Sequence, residues 1–255
     1  MDIVLVGAGN LATNLGRALR DAGHTIKQVY SRTEESAAVL AGLLRCGYTT
    51  VADDVGQEAD VYIFSVKDSV LKELADKLRP GREEALFVHT AGSMDMGVLG
   101  GCRRGVLYPM QTFSKQKPVD FRHIPCFVEA SDETDSTTLK ALAESVSERV
   151  YELSGEDRKY LHLAAVFCCN FANHCYAIGA DILKRHGIPF DVMLPLIQET
   201  ADKLRSLSPR EAQTGPAVRY DTNVMDRQKA LLADLPDFRD VYDLMSEGIH
   251  KNVNK

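Results

Sequence analysis

The sequence has no run of five like charges, no CxxC pair, no apolar stretch approaching a membrane span, and no internal repeat or low-complexity tract. Each absence removes a class of function. With 30 basic against 36 acidic residues and a net charge of −6, there is no basic surface for nucleic acid or an anionic membrane. The six cysteines (Cys46, Cys102, Cys126, Cys168, Cys169 and Cys175) lack metal-like histidine spacing, which predicts free thiols in a reducing compartment and no metal site. The chain opens on a core strand rather than a signal peptide, and no segment reads as a span, so the expected location is the cytoplasm. At 255 residues the chain suits two domains of ordinary size.

What is present is concentrated at the start. The apolar run Ile3-Val4-Leu5-Val6 leads into Gly7-Ala8-Gly9-Asn10-Leu11-Ala12 and then a helix patterned by Leu11, Leu15, Ala18, Leu19 and Ala22. A strand turning sharply into a helix needs Gly7 at the corner, and a side chain at Gly9 would keep a pyrophosphate off the backbone. The amides at the helix start then offer unpaired donors and a partial positive charge to phosphates. The glycine spacing is a weak signal alone, but strand before and helix after are the context a dinucleotide fingerprint requires.

Strands expected over 25–30, 48–51, 61–66, 85–89, 105–108, 124–129 and 150–153 alternate with helices, one of them opened by Thr33, Glu34 and Glu35 and another spanning 135–146. This order predicts an α/β fold: an N-terminal, doubly wound, mostly parallel Rossmann sheet over 1–154, with ligands beyond the carboxyl ends of its strands. From 155 to 255 only helices are expected, over 157–185, 189–207, 216–232 and 238–250. The first would be about 43 Å long at 1.5 Å per residue. It carries apolar residues around much of its girth, among them Leu161, Ala165, Phe167, Phe171 and Ile178, and is expected to meet a second subunit; burial in its own bundle is the other reading.

The end of the second strand reads Tyr30-Ser31-Arg32-Thr33, without the carboxylate that holds ribose hydroxyls in NAD sites. Arg32 between two hydroxyls suits a 2′-phosphate, so the expected cofactor is NADP. Its site would comprise Gly7, Gly9, Asn10, Leu11, Ser31, Arg32 and Thr33, with Val66, Lys67 and His89 at neighbouring strand ends. On the long helix, His162 and Asn170 are eight apart and share a face in a regular α-helix, a donor pair suited to reducing a carbonyl or imine. Ser93, and Thr214 with Arg219 near the start of the helix expected at 216, are candidate contacts to a small substrate.

Taken together, the glycine turn with Ser31-Arg32-Thr33, Val66-Lys67-Asp68, His89-Thr90-Ala91-Gly92-Ser93, Tyr108-Pro109-Met110-Gln111-Thr112-Phe113, His162 to Asn170, and Thr214-Gly215-Pro216 with Arg219 and Asp221 resemble the bacterial Rossmann-like NADP oxidoreductases whose C-terminal helical domain has no assigned function. The likeness covers nearly the whole chain. More distantly the chain is similar to pyrroline-5-carboxylate reductase, deazaflavin-dependent NADP reductase, ketopantoate reductase and the β-hydroxyacid dehydrogenases. The resemblance implies NADP binding and a homodimer formed through the C-terminal helices. β-Hydroxyacid dehydrogenases place a catalytic lysine four residues before an asparagine, and here that position is Val166 before Asn170. Two readings therefore stand: an NADP-dependent reductase with His162 in the lysine's place, or a non-catalytic NADP-binding dimer that reports redox state.

Overall fold

A computed structural model describes residues 1–101 and 103–252. The elements are β1 (Asp2–Val6), α1 (Asn10–Asp21), β2 (Thr25–Tyr30), α2 (Glu34–Leu44), β3 (Gly47–Thr49), β4 (Val61–Phe64), α3 (Asp68–Leu78), β5 (Leu86–His89), β6 (Arg104–Pro109), β7 (Cys126–Ala130), α4 (Glu133–Glu144), β8 (Val150–Glu152), α5 (Gly155–Ala165), α6 (Ala172–Arg185), α7 (Leu194–Asp202), α8 (Thr222–Ala230) and α9 (Pro236–Asn252). The strands form one eight-stranded sheet in the order β3-β2-β1-β4-β5-β6-β7-β8. Neighbours run parallel except β6 and β7, which are antiparallel. Strand order reverses between β1 and β4, the switch point at which open α/β sheets leave a crevice.

Alternation along the strands divides two cores. Ile3 and Leu5 of β1 pack with Leu15 and Leu19 of α1, Leu40 and Leu44 of α2, and Leu139 and Leu142 of α4. Val4 and Val6 point the other way, toward Leu71, Ala75 and Leu78 of α3. The period of two along a strand puts successive side chains on opposite faces, and both faces are covered because parallel crossovers lay helices on each.

Several expected boundaries move. Thr33 precedes α2 but makes no side-chain cap; Glu34 and Glu35 favour that terminus by their charge. α4 begins at Glu133 because Asp132 caps it, accepting from the Asp135 amide at 2.8 Å. The helix expected from 216 begins at Thr222, where Asp221 accepts from the Val224 amide. Ser154 caps α5 through the Asp157 amide at 3.1 Å. Between α5 and α6 the chain makes a π-helical turn over Val166–Phe171.

The chain divides into two compact units, Met1–Cys169 and Asn170–Lys255. Strands end before Ser154, yet the first unit runs on to Cys169, because α5 is fastened to the sheet by Arg158 and His162. In the second unit only Ala217, Met225, Leu232 and Ser246 are buried among the described residues. The helical stretch Gly155–Arg185, π turn included, is long and apolar enough to cross a membrane by length and composition alone, against the expectation of no such stretch; the core helix of a soluble protein passes the same test. His162, Asn170, Asn173 and His174 lie within it.

Candidate active site

A cavity of about 750 Å³ opens at the carboxyl ends of β1, β2 and β4, at the switch point. Gly7, Gly9, Ser31, Arg32, Val66 and Lys67 line it, as do Ser36, Lys77 and Lys115. Gly7 has φ +117°, and a Cβ there would lie 2.4 Å from the Ser65 carbonyl oxygen, so the close approach of the β4 end requires glycine. A Cβ on Gly9 would meet nothing within 4 Å and would project into open space at the start of α1. That open cradle beside unpaired helix amides fits a pyrophosphate.

Charge in the wall also suits the ligand. Arg32, Lys67, Lys77 and Lys115 face one acid, Glu73, although Lys77 spends part of its charge on Asp53 at 3.4 Å. Arg32 is exposed, with half-buried Ser31 and Ser36 nearby in the wall, a donor set that fits a phosphate on the ribose. Lys77 on α3 and Lys115 after β6 join the wall only through the fold, and no local pattern marks them. Asn10, Leu11, Thr33 and His89 do not line the cavity. Asn10 serves the site at one remove: its carbonyl accepts from Asn14 Nδ2 at 2.9 Å, and the same nitrogen donates to the Ser114 carbonyl at 3.0 Å, holding the segment before Lys115 against α1.

A second polar centre lies at the ends of β5 and β6. The Tyr108 hydroxyl is 3.0 Å from Nδ1 of His162, with the rings edge to face at 6.0 Å. Tyr108 is buried and His162 half-buried. A Cβ on Gly92 would lie 2.6 Å from His162 Nδ1 and 2.8 Å from Tyr108 Cζ, so the loop after β5 rests directly on both rings. Burial raises the phenol pKa, and the Arg158 cation opposes that rise. Tyr108 therefore keeps its proton at neutral pH.

His89 adjoins this centre and is fully buried; burial first, and the Arg158 cation second, bring its pKa down to about 4. Its Nδ1 accepts from the Ala91 amide at 3.2 Å, which leaves the ring proton on Nε2, and Asp95, through its backbone and its charge, opposes the lowering. Ser93 donates to Asp68 at 3.2 Å. The buried Arg158 forms an ion pair with the half-buried Glu129 and donates to the Met94 carbonyl at 2.7 Å. In the sequence Tyr108 ends an expected strand, and nothing local marks Glu129 or Arg158, which are far apart in the chain and share no motif.

The remaining expected residues belong to the second unit. Asn170 is exposed in the π turn at the start of the second unit. An i→i+5 turn takes an extra residue per revolution, so the regular α-helical phase that aligned Asn170 with His162 does not apply across it. Thr214 and Arg219 are exposed in the second unit and precede α8 rather than opening it, so they lack the helix-terminal amides expected to support an anion.

Residues 2–92 match the family model described as NADP oxidoreductase, coenzyme F420-dependent, and residues 124–249 match a domain of unknown function, DUF2520. No curated protein matches. The chain is similar to the crystal structure of a "putative NADP oxidoreductase" from Bacteroides fragilis, with 55% identity, 98% of each chain covered and a TM-score of 0.95. It shares its fold with an imine reductase from Myxococcus stipitatus in complex with NADP+ (17% identity, 100% of this chain and 94% of that one, TM-score 0.71). It likewise shares its fold with a 1-pyrroline-5-carboxylate reductase from Streptococcus pyogenes (14% identity, 98% of each, TM-score 0.65). By identity sustained along nearly its full length, the chain belongs to the family of the Bacteroides fragilis protein, in which an NADP-oxidoreductase-type Rossmann domain is joined to a helical domain of unknown function.

Proposed function

We propose that this protein is an NADP(H)-dependent oxidoreductase that moves a hydride between the nicotinamide and a small carbonyl or imine. The observation that carries this reading is the Tyr108–His162 pair at the strand ends of the sheet that also bears the cationic nucleotide cavity. NADPH, when bound, supplies the hydride. Gly9 and the first amides of α1, including those of Asn10 and Leu11, receive the pyrophosphate; Arg32 with Ser31, Thr33 and Ser36 receives the 2′-phosphate; Val66 and Lys67 border the rest of the nucleotide, and His89 lies buried behind them at the end of β5.

The proton is the protein's share. Tyr108 donates its phenolic proton to the substrate oxygen or nitrogen as the hydride arrives, and recovers a proton from Nδ1 of His162, whose half-buried ring exchanges with solvent. His162 thus feeds the proton donor, with Tyr108 between it and the substrate, and Ser93 contacts the substrate. Asn170, Thr214 and Arg219 are kept as polar groups of the helical part, for which the phase and helix-terminus arguments no longer speak. Residues 1–154 act as the cofactor domain and 155–255 as the substrate and dimer domain. The homodimer is supported by the exposed apolar side chains of Tyr160, Leu163, Leu196, Leu231 and Leu244, and by the few buried residues of the second unit. Cytoplasmic location is supported by the free thiols of Cys46, Cys126, Cys168, Cys169 and Cys175.

The decisive experiment is NADPH oxidation with 1-pyrroline, a cyclic imine, as probe. Tyr108→Phe is expected to lower kcat by roughly a hundredfold or more while leaving NADPH affinity intact. Wild-type protein that binds NADPH but transfers no hydride to any carbonyl or imine offered would return the non-catalytic redox-reporting dimer to first place.

A further inference from the structure

The β6–β7 ladder shows what determines where the Tyr108–His162 hydrogen bond forms. Val106 stands opposite Glu129 and Tyr108 opposite Phe127, so Tyr108 and Glu129 are diagonal neighbours on one face of the sheet, about 7–8 Å apart in such a ladder. The opposite face of these strands carries Leu107, Cys126 and Val128, packed with Leu139 and Leu142 of α4. α5 meets the Tyr108 face at two points, Arg158 on Glu129 and His162 on Tyr108. These helix residues are four apart, about 6 Å along the axis, which matches the diagonal of the ladder. Helix and sheet are therefore joined by two rungs, one ionic and one made of the Tyr108 and His162 rings, whose spacings on helix and ladder are similar.

The ionic rung is the better anchored. Arg158 is 1% exposed. Glu129 accepts from Arg158 Nη1 and, at 3.0 Å, from the Gly155 amide, so it grips α5 at its first residue and one turn later. The other guanidinium nitrogen donates at 2.7 Å to the Met94 carbonyl, two residues beyond the Gly92 backbone that presses on both rings. One side chain thus ties together the helix that carries His162, the ladder that carries Tyr108 and the loop that covers both.

We propose that the Glu129–Arg158 ion pair is the positioning element of the Tyr108–His162 pair: it sets the register in which α5 docks on β6 and β7, and so the hydrogen bond between phenol and imidazole. The proposal rests on the reading of Tyr108 and His162 as the proton-delivering groups. The charged and titratable groups around Tyr108 are His162 and Arg158 from α5, His89 from β5 and Glu129 from β7. The Arg158 cation opposes the effect of burial on Tyr108 and adds to it on His89.

The test uses the full-length protein with NADP+ bound and follows the Tyr108 and His162 ring resonances and the nuclear Overhauser contact between the two rings, beside turnover of 1-pyrroline. Glu129→Gln keeps the shape of the carboxylate and removes its charge; Arg158→Met removes the cation; Arg158→Lys keeps the charge without the fork. In Glu129→Gln and Arg158→Met, the contact between the two rings is expected to be lost and kcat to fall by roughly ten- to a hundredfold, with NADPH affinity changed less than about twofold because the Gly9–Arg32 cavity is elsewhere. Arg158→Lys should recover part of both. If Arg158→Met fails to fold, Glu129→Gln decides alone. Folded variants in which the Tyr108 and His162 rings keep their contact, with unchanged kcat, overturn the proposal. Turnover surviving in Tyr108→Phe would overturn the catalytic reading instead, and the resonances would still decide whether the ion pair positions the two rings.

Discussion

The two units of this chain solve the problem of burial differently. In Met1–Cys169, side chains from both faces of the sheet reach zero or near-zero exposure, as with Ile3, Leu15, Ile63, Phe87 and Leu142. In Asn170–Lys255, Leu196 is 59% exposed, Leu244 73% and Leu231 83%, and only four described residues are buried. A sheet with helices on both faces closes a core from its own chain. Four helices with wide apolar faces leave much of that surface to be covered from outside, which is why fold and assembly have to be tested separately.

The sharpest test of the contrast is to delete the same kind of side chain in each unit. Leu15→Ala should cost about 2–5 kcal/mol of folding stability in a denaturant titration, since α1 cannot collapse into the space left between β1 and α2. Leu244→Asp should change the stability of the monomer by less than about 0.5 kcal/mol, yet dissociate the proposed dimer in sedimentation. An equal loss of stability at both positions would erase the distinction between them.

A pH experiment separates the sheet unit by its buried histidine. The folded pKa of His89, about 4, lies below its ordinary 6.5, so the fold holds the neutral ring. Stability from this group is intact above pH 6.5 and declines as pH falls toward 4, because the unfolded chain takes up a proton that the folded one refuses. The loss should reach roughly 3 kcal/mol at the acid end, and His89→Gln should flatten that part of the stability profile. The smallest effect concerns the cavity rim. Arg32→Ala should weaken NADPH binding about tenfold by titration while barely changing NADH. Equal weakening of both would remove the 2′-phosphate role of Arg32.

Much of the sheet unit was readable along the chain because its signals are local. Gly7 marks the corner, and Val61–Phe64 and Leu86–His89 read as buried strands. The second polar centre is less legible. His162 stood out as a titratable residue on an apolar helix, but its partner Tyr108 comes from a strand that only the sheet brings beneath it, and Arg158 and Glu129 appear as ordinary surface charges until α5 docks. Asn170 was paired with His162 by counting residues in regular helical turns, and the π turn over Val166–Phe171 changes that count. Arg219 was placed at a helix start that Asp221, as the capping residue, moves to Thr222.

The sequence by itself determined the alternation of strands and helices, the nucleotide turn and the absence of a carboxylate beside Arg32, because periodicity, glycine geometry and charge act over a few neighbouring residues. Only the tertiary structure decided which side chains meet across the ladder: Tyr108 with His162, Glu129 with Arg158, Lys77 and Lys115 with the cavity. Those contacts depend on strand register and helix docking, which follow from burial summed over the whole core and are written in no single stretch of the chain.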